Sequence, residues 1–372
     1  MSSPPQSLYH DAILVDSDDT DYDTYYDGGI TSTAASIASQ VTDYRYENGR
    51  RYHAYGSGKY WAPNDEASMN QEELFHHVYA LRLNGKMFLA PIDKGTPPQH
   101  ILDLGTGAGN WCLDMSSQFP DAQITGNDLS PVQPTYVPPN VSFEIDDFNE
   151  EWLQPSSHYD FVHARALYGS VKDWSQFLKN VYRVLKPGGW FESVETVVEI
   201  TCDDGSIPKG APVEVWCDEM IKAAEDAGAS FDVAGKMENW CDKQGFVEIT
   251  QKMFKIPIGP WAKEKYEKTV GSYNLVNMLA ASEGFSLRLL TKFGSKMSKT
   301  EVEKLLVGVT ADLKNKKHHA YFRMYVCYAR KPETSEARPP SRGSTIRPGR
   351  HDHSGGETDC ASIHEESEYE QH

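Results

Sequence analysis

Asp103-Leu104-Gly105-Thr106-Gly107-Ala108-Gly109 decides the fold: an apolar run, HILDL over residues 100–104, enters a glycine-rich turn, and a helical pattern starts at 110. Glycine lets backbone approach a ligand closely, and the first amides of the following helix are unpaired donors at its positive end. Every nucleotide-binding strand–turn–helix shares that much, so the spacing has to separate the cases. The dinucleotide fingerprint GxGxxG needs its third glycine where this chain has Asn110. Asp103, at the carboxyl end of the strand, would repel a pyrophosphate, whereas an acid there can bind the ammonium of a methionine moiety while the adjacent amides meet its carboxylate. The pattern points to S-adenosylmethionine (SAM), with Asp103, Gly105, Thr106, Gly107 and Gly109 around it, and places a nicotinamide oxidoreductase well behind.

Working outward, a second strand over 123–127 ends at Asp128-Leu129, where a carboxylate can accept hydrogen bonds from both ribose hydroxyls of a nucleoside. A third strand, 141–146, ends in Asp146-Asp147-Phe148, where an acid can take the adenine amino hydrogen and a neighbouring amide can read the ring. An isolated Asp at a strand end is usually a turn or cap residue. Three behind one glycine loop make a site.

The fourth strand is expected over 159–164 and a helix over 174–185, with Phe177, Leu178, Val181, Tyr182 and Leu185 on one face at the 3.6 period. Lys186-Pro187-Gly188-Gly189 should stop that helix, leaving strand five over 190–196. Helices near 211–227 and 231–244 follow, then a strand over 246–256, a helical stretch over 261–313 that would serve as a substrate lid, and a final strand over 319–329. This alternation predicts an α/β fold of Rossmann-like type: a mostly parallel seven-stranded sheet, helices on both faces, and helical additions. The domain should occupy 43–331, with its core at 98–258, between a disordered acidic arm (1–42) and a disordered tail (332–372).

Composition sets outer bounds. A hydrophobic fraction of 39% over 372 residues permits a sizeable core, and a net charge of −18 argues against bulk attraction to nucleic acid. The six cysteines include no CxxC pair, and His76, His77, His318 and His319 lack acidic or cysteine companions at ligand spacing, so no metal is expected. No apolar run reaches the length of a membrane span and the N-terminus lacks a secretory pattern, so a nuclear or cytoplasmic protein is expected.

The runs LDLGTGAGNW (102–111), GNDLSPVQP (126–134), VPPNVSFEIDDFNEEW (137–152), YDFVHAR (159–165) and LKPGGWFESVE (185–195) together resemble the LaeA-like fungal methyltransferases. The upstream YRYENGRRYHAYGSGKYWAPNDE (44–66), CDDGS (202–206) and YARKP (328–332) are similar to that group as well, which extends the resemblance over about residues 43–331. Ala108 and Asn110 depart from the group's usual Thr and Ile or Val, and Glu73-Leu74-Phe75 replaces the RLD triplet before its histidine. The resemblance implies a class I methyltransferase with SAM as cofactor, a protein or small secondary-metabolism molecule as acceptor, and velvet-type regulatory proteins as partners. The alternative it leaves is a nuclear regulatory scaffold of the same fold.

A sulfonium methyl is already electrophilic, so the enzyme needs chiefly to place a nucleophile in line and exclude water. His163 on strand four is the candidate base or orienting group, and a buried structural histidine is the alternative. Glu192 on strand five is a candidate substrate contact, or else the partner of Arg165 or Arg183. Tyr52 and His53, in a segment mixing cations with aromatics, are candidates to cover the cofactor or touch substrate.

Overall fold

The computed structural model describes residues 44–53 and 60–336, so the expected acidic arm and most of the expected tail lie outside the described residues. The chain opens with a hairpin, β1 (Arg45–Glu47) and β2 (Arg50–Tyr52). Asn48 (φ 55°) and Gly49 (φ 84°) both adopt positive φ in its turn, the combination that matches the twist of a two-residue hairpin loop. Arg50 reaches from β2 to Asp65 (2.6 and 2.7 Å), and Asp65 in turn accepts from the Ser68 amide (3.0 Å), capping helix α1 (Glu66–Arg82). Burial raises the Asp65 carboxyl, but the guanidinium and capping amides outweigh it and leave it at about 2.

The elements that follow are β3 (His100–Leu104), α2 (Asn110–Gln118), β4 (Gln123–Asp128), β5 (Val141–Ile145), β6 (Tyr159–Arg165), α3 (Trp174–Val184) and β7 (Leu185–Thr196). Then come α4 (Pro212–Asp226), α5 (Met237–Gln244), β8 (Val247–Pro257), α6 (Lys265–Lys292), α7 (Lys299–Lys314) and β9 (Tyr321–Arg330). The sheet runs β5-β4-β3-β6-β7-β9-β8, parallel from β5 to β7, with β9 antiparallel to both of its neighbours. From β3 the chain steps outward to β4 and β5, then returns across β3 to place β6 on its other side. That reversal opens a crevice at the carboxyl ends of β3 and β6, where ligands of open α/β sheets bind.

Two packed layers hold this crevice in place. Ile101, Phe161 and Ile124 meet Trp111 and Met115 of α2 on one face, and Leu102, Leu104, Val162 and Ala164 meet the larger cluster with α3, α4 and α6 on the other. Alternate residues of each strand feed opposite faces, so Asp103 and His163, which are register partners, share the α2 face.

Three expectations are corrected. Lys186-Pro187-Gly188-Gly189 does not form a turn ahead of the strand but lies inside β7, whose pairing with β6 jumps from Tyr159–Leu185 to Phe161–Trp190. Proline and glycine are tolerated there because the register shift leaves them outside the regular ladder. The helix expected over 231–244 begins only at Met237, since Gly235 takes φ 86° and interrupts the helical path. The stretch over 261–313 is two helices, with Phe293 extended after α6 and a Ser298–Glu301 capping box starting α7.

Candidate functional site

The glycine loop is pinned from beneath. Thr106 N donates to Asn127 O (2.8 Å), Gly105 N to Asn127 Oδ1 (3.2 Å) and Gly107 N to Asp128 Oδ2 (2.9 Å). Asp128 also accepts from Ser130 N through Oδ1 (3.0 Å), and burial raises its carboxyl above the ordinary range against the pull of those amides. Gly109 caps α2 at φ 84°, and a Cβ there would lie 2.4 Å from the Phe143 ring, so both the conformation and the space demand glycine.

Beneath the loop, His163 Nδ1 and Asp103 Oδ1 are 2.7 Å apart, and the imidazole stacks on Trp111 with ring centroids 3.9 Å apart and planes 1° from parallel. Burial depresses the His163 pKa more than Asp103 raises it, which favours a neutral ring donating Nδ1–H to the carboxylate. Asp103 also receives the Cys112 thiol (3.6 Å). It is therefore a carboxylate held in one orientation at the sheet's switch point.

Helix α1 closes the far wall. Glu72 accepts from Ala108 N (3.0 Å), and burial together with nearby Asp128 pushes its carboxyl up to about 7. Arg165, the last residue of β6, places Nη2 3.0 Å from His76 Nδ1, while His76 Nε2 meets Asp114 (3.0 Å) and the guanidinium lies over the Tyr79 ring (4.8 Å). No carboxylate of the described residues forms an ion pair with Arg165, and burial lowers its pKa. These groups surround one cavity with about 180 Å3 of water-sized free space, whose lining includes Gly105, Thr106, Gly107, Asp103, Asp128 and Arg165.

Of the other expected site residues, Leu129, Phe148 and His163 line this cavity. Gly109 lies behind it as the helix cap. Asp146 and Asp147 are not in the wall: Asp146 accepts from Gln154 (3.2 Å), and buried Asp147 accepts from the Asn149 backbone and side-chain amides (3.0 and 3.1 Å), holding Asn149 in the lining. Tyr52 is fully buried under the Arg288 guanidinium (4.7 Å), and His53 accepts from Tyr60 N (3.3 Å) with burial pulling it down to about 4; Arg50, not either of these, reaches the cavity.

Glu192 is corrected on both readings. Its Oε2 accepts from Leu89 N (2.7 Å) and Ala90 N (2.6 Å), and it neither lines the cavity nor pairs with Arg165 or Arg183, because its register places it on the buried α2 face of the sheet. Of the expected lid, α6 supplies Ala280, Ala281, Gly284 and Phe285 to the wall, while α7 packs behind it and contributes none. Glu72, His76 and Arg165 were missed from the sequence. Arg165 carried a usable signal, a charge ending an apolar strand in YDFVHAR. Glu72 and His76 sit on a helix with no periodic apolar stripe to announce it.

Glu195 gives a pH-dependent prediction. It is buried and accepts from Leu167 N and Tyr168 N (both 3.1 Å), and burial pushes its carboxyl from 4.5 up to about 8. A raised folded pKa means that the folded state holds the proton in this window. Its contribution is present below about 4.5 and lost as pH rises through about 8. Urea unfolding should therefore show a shallower fall in stability across that range for Glu195→Gln than for the parent chain, and an equal slope would contradict the buried protonated acid.

A family model described as a methyltransferase domain matches residues 74–251. Methyltransferase pytC of Aspergillus terreus is 39% identical over 302 residues, covering 81% of this chain and 92% of that protein. Secondary metabolism regulator laeA of Aspergillus niger is 33% identical over 298 residues (77% and 76%), and protein-methionine methyltransferase laeA of Emericella nidulans is 31% identical over 304 (79% and 78%). A solved phosphoethanolamine N-methyltransferase 2 of Haemonchus contortus aligns over 81% of this chain and 73% of its own at 17% identity, with a TM-score of 0.43. Identity of this extent over three quarters or more of such relatives, together with the glycine loop and its acids, makes the chain a member of the LaeA-like family of SAM-dependent methyltransferases.

Proposed function

We propose that the cavity at the β3–β6 switch point binds SAM and that the chain transfers its methyl group to a protein or small-molecule acceptor. The observation that carries this is the convergence of Asp103, Asp128 and the loop amides on one crevice. Asp128 keeps lone pairs for the ribose hydroxyls. Leu129, Phe148 and Asn149 face the adenine, with Asp147 one layer behind, fixing Asn149. Asp103 takes the ammonium and Arg165 the α-carboxylate, so that each buried charge is paired. SAM supplies an electrophilic methyl: an acceptor lone pair forms the new bond as the carbon–sulfur bond breaks and its electron pair returns to sulfur.

His163 is read as the positioning residue for Asp103 rather than as a base. Its Nδ1 donates to that carboxylate, its ring is clamped by Trp111, and its remaining nitrogen, Nε2, is buried with no partner among the described residues. Methyl-labelled SAM, incubated with the full chain and with fungal extract split into protein and small-molecule fractions, should deliver label that disappears with Asp103→Ala. In the same assay His163→Asn should weaken SAM binding without moving the pH profile of transfer. Loss of an acidic limb would restore the base.

A regulatory role in secondary metabolism, in company with velvet-type proteins, is the second reading, favoured by relatives named as such regulators. An Asp103→Ala chain that transfers no label yet rescues metabolite production in a strain lacking the gene would select the scaffold over the enzyme.

A further inference from the structure

Beside the cofactor cavity lies a second chamber of about 50 Å3, lined by sixteen residues, none of them Asp, Glu, Lys, Arg or His. It shares Trp61, Gln71, Phe75, Tyr168, Ala281 and Phe285 with the cofactor cavity, so the two have a common wall. Met278 of α6 and Trp216 and Met220 of α4 close it on one side, and Thr196 to Val198 at the end of β7 close it on another. The one titratable side chain, Tyr168, has its hydroxyl pushed up to about 12 by burial and stays neutral. Gln71 and Asn277 hydrogen-bond each other (2.7 Å), and Trp216 Nε1 donates to Ser286 (2.7 Å), so their polarity is already used.

Trp61 differs. It is only 7% exposed, its ring is wedged against Phe231 (5.4 Å) and Phe285 (5.3 Å), and its buried Nε1–H has no acceptor among the described residues. Its ring stands in the wall common to both cavities, where an acceptor molecule would meet the cofactor. We propose that this chamber receives the methyl acceptor, and that the part buried there is a neutral aromatic or conjugated ring. The inference rests on the cofactor reading of the neighbouring cavity.

The chemistry selects against the alternatives. A cation or anion entering this chamber would lose its hydration and find no counter-charge in the lining. An apolar ring gains from leaving water and from edge and face contacts with the aromatic walls. On a scale where one water takes about 10–15 Å3, the chamber accommodates about one ring and no length of peptide backbone.

The test uses the full chain saturated with S-adenosylhomocysteine and three one-ring probes of similar size: acetophenone, benzyltrimethylammonium and benzoate. Binding is read by ligand-observed saturation-transfer NMR, with cofactor affinity measured by calorimetry on the same samples. Acetophenone should bind and both ions should not. Met278→Trp, which fills the chamber and lies outside the cofactor cavity, should weaken acetophenone at least about tenfold while leaving S-adenosylhomocysteine affinity unchanged. Equal binding of either ion, or acetophenone indifferent to Met278→Trp, overturns the proposal. Parallel loss of S-adenosylhomocysteine in Met278→Trp overturns the separation of the two sites. Failure of the parent chain to bind S-adenosylhomocysteine, seen before any probe is added, overturns the cofactor reading and the chamber with it. Methyl transfer from SAM to a protein methionine at a rate unaffected by Met278→Trp would assign the acceptor to a different surface.

Discussion

Replacing Arg165 by leucine should weaken S-adenosylhomocysteine binding about 100-fold or more while leaving 5′-methylthioadenosine, which lacks the amino-acid end, unaffected. The guanidinium is half-buried at the carboxyl end of β6, and its polar contact is to His76 (3.0 Å), whose pKa burial lowers. It thus sits beside a neutral ring and makes no ion pair among the described residues. A desolvated cation is stabilised by an anion brought to it, and truncating one partner of such a pair typically costs about 3–5 kcal/mol, which corresponds to about 10²–10³ in affinity. The wall around Arg165 holds the loop amides and Asp103, which suits a zwitterion whose carboxylate meets the guanidinium. Calorimetric titration of the two nucleosides into parent and Arg165→Leu chains reads this directly. Equal weakening of both ligands would mean that the arginine only holds the fold, and no weakening of either would remove it from the site.

Asp128→Ala should have the complementary outcome, abolishing measurable binding of both nucleosides. Its oxygens receive Gly107 N (2.9 Å) and Ser130 N (3.0 Å), so alanine removes the ribose acceptor and also frees the two backbone amides that fix the glycine loop. Each buried amide left without a partner costs about 1–3 kcal/mol, so the melting temperature should fall as well. Asp128→Asn retains one carbonyl oxygen and should recover part of the stability before it recovers affinity. Retention of 5′-methylthioadenosine by Asp128→Ala would show that the ribose is read elsewhere. The two variants separate the ends of the cofactor: one loses the amino-acid end alone, the other the nucleoside common to both ligands.

The strands from 100 to 196 were legible because each combines an apolar run with a glycine, proline or acid at its end, and the sheet they form differs from the expectation by a residue or two, except at Lys186 to Gly189. The hairpin at Asn48-Gly49 carried its turn signal in plain sight but is only three residues to a strand, too short for periodicity to register. Helix α1 was hidden for a different reason. Its buried residues include Ser68 and Gln71 beside Val78 and Tyr79, so the face turned inward is a mixed one that a search for apolar stripes passes over.

The acids divide along the same line. Asp103 and Asp128 stand in the cavity wall because a carboxylate at the carboxyl end of a parallel strand has its position set by the strand itself. Asp147 and Glu192 were misplaced because the side chain's partner, Asn149 in one case and the Leu89 and Ala90 amides in the other, depends on loops whose path the local pattern does not encode.

What the sequence determined by itself is therefore the scaffold and its cofactor chemistry: the period of the strands, the glycine turn at positive φ, and the acids fixed at strand ends are local properties of the chain. What only the tertiary structure decided is which charges face one another across the crevice. Arg165 is separated from His76 by 89 positions, Trp61 and Phe285 come from opposite ends of the chain, and the neutral chamber exists only where α1, α4, α6 and β7 meet. Burial, unlike periodicity, is a property of the packed assembly, and it is packing that leaves Arg165 without an ion pair and the Trp61 Nε1–H without an acceptor among the described residues.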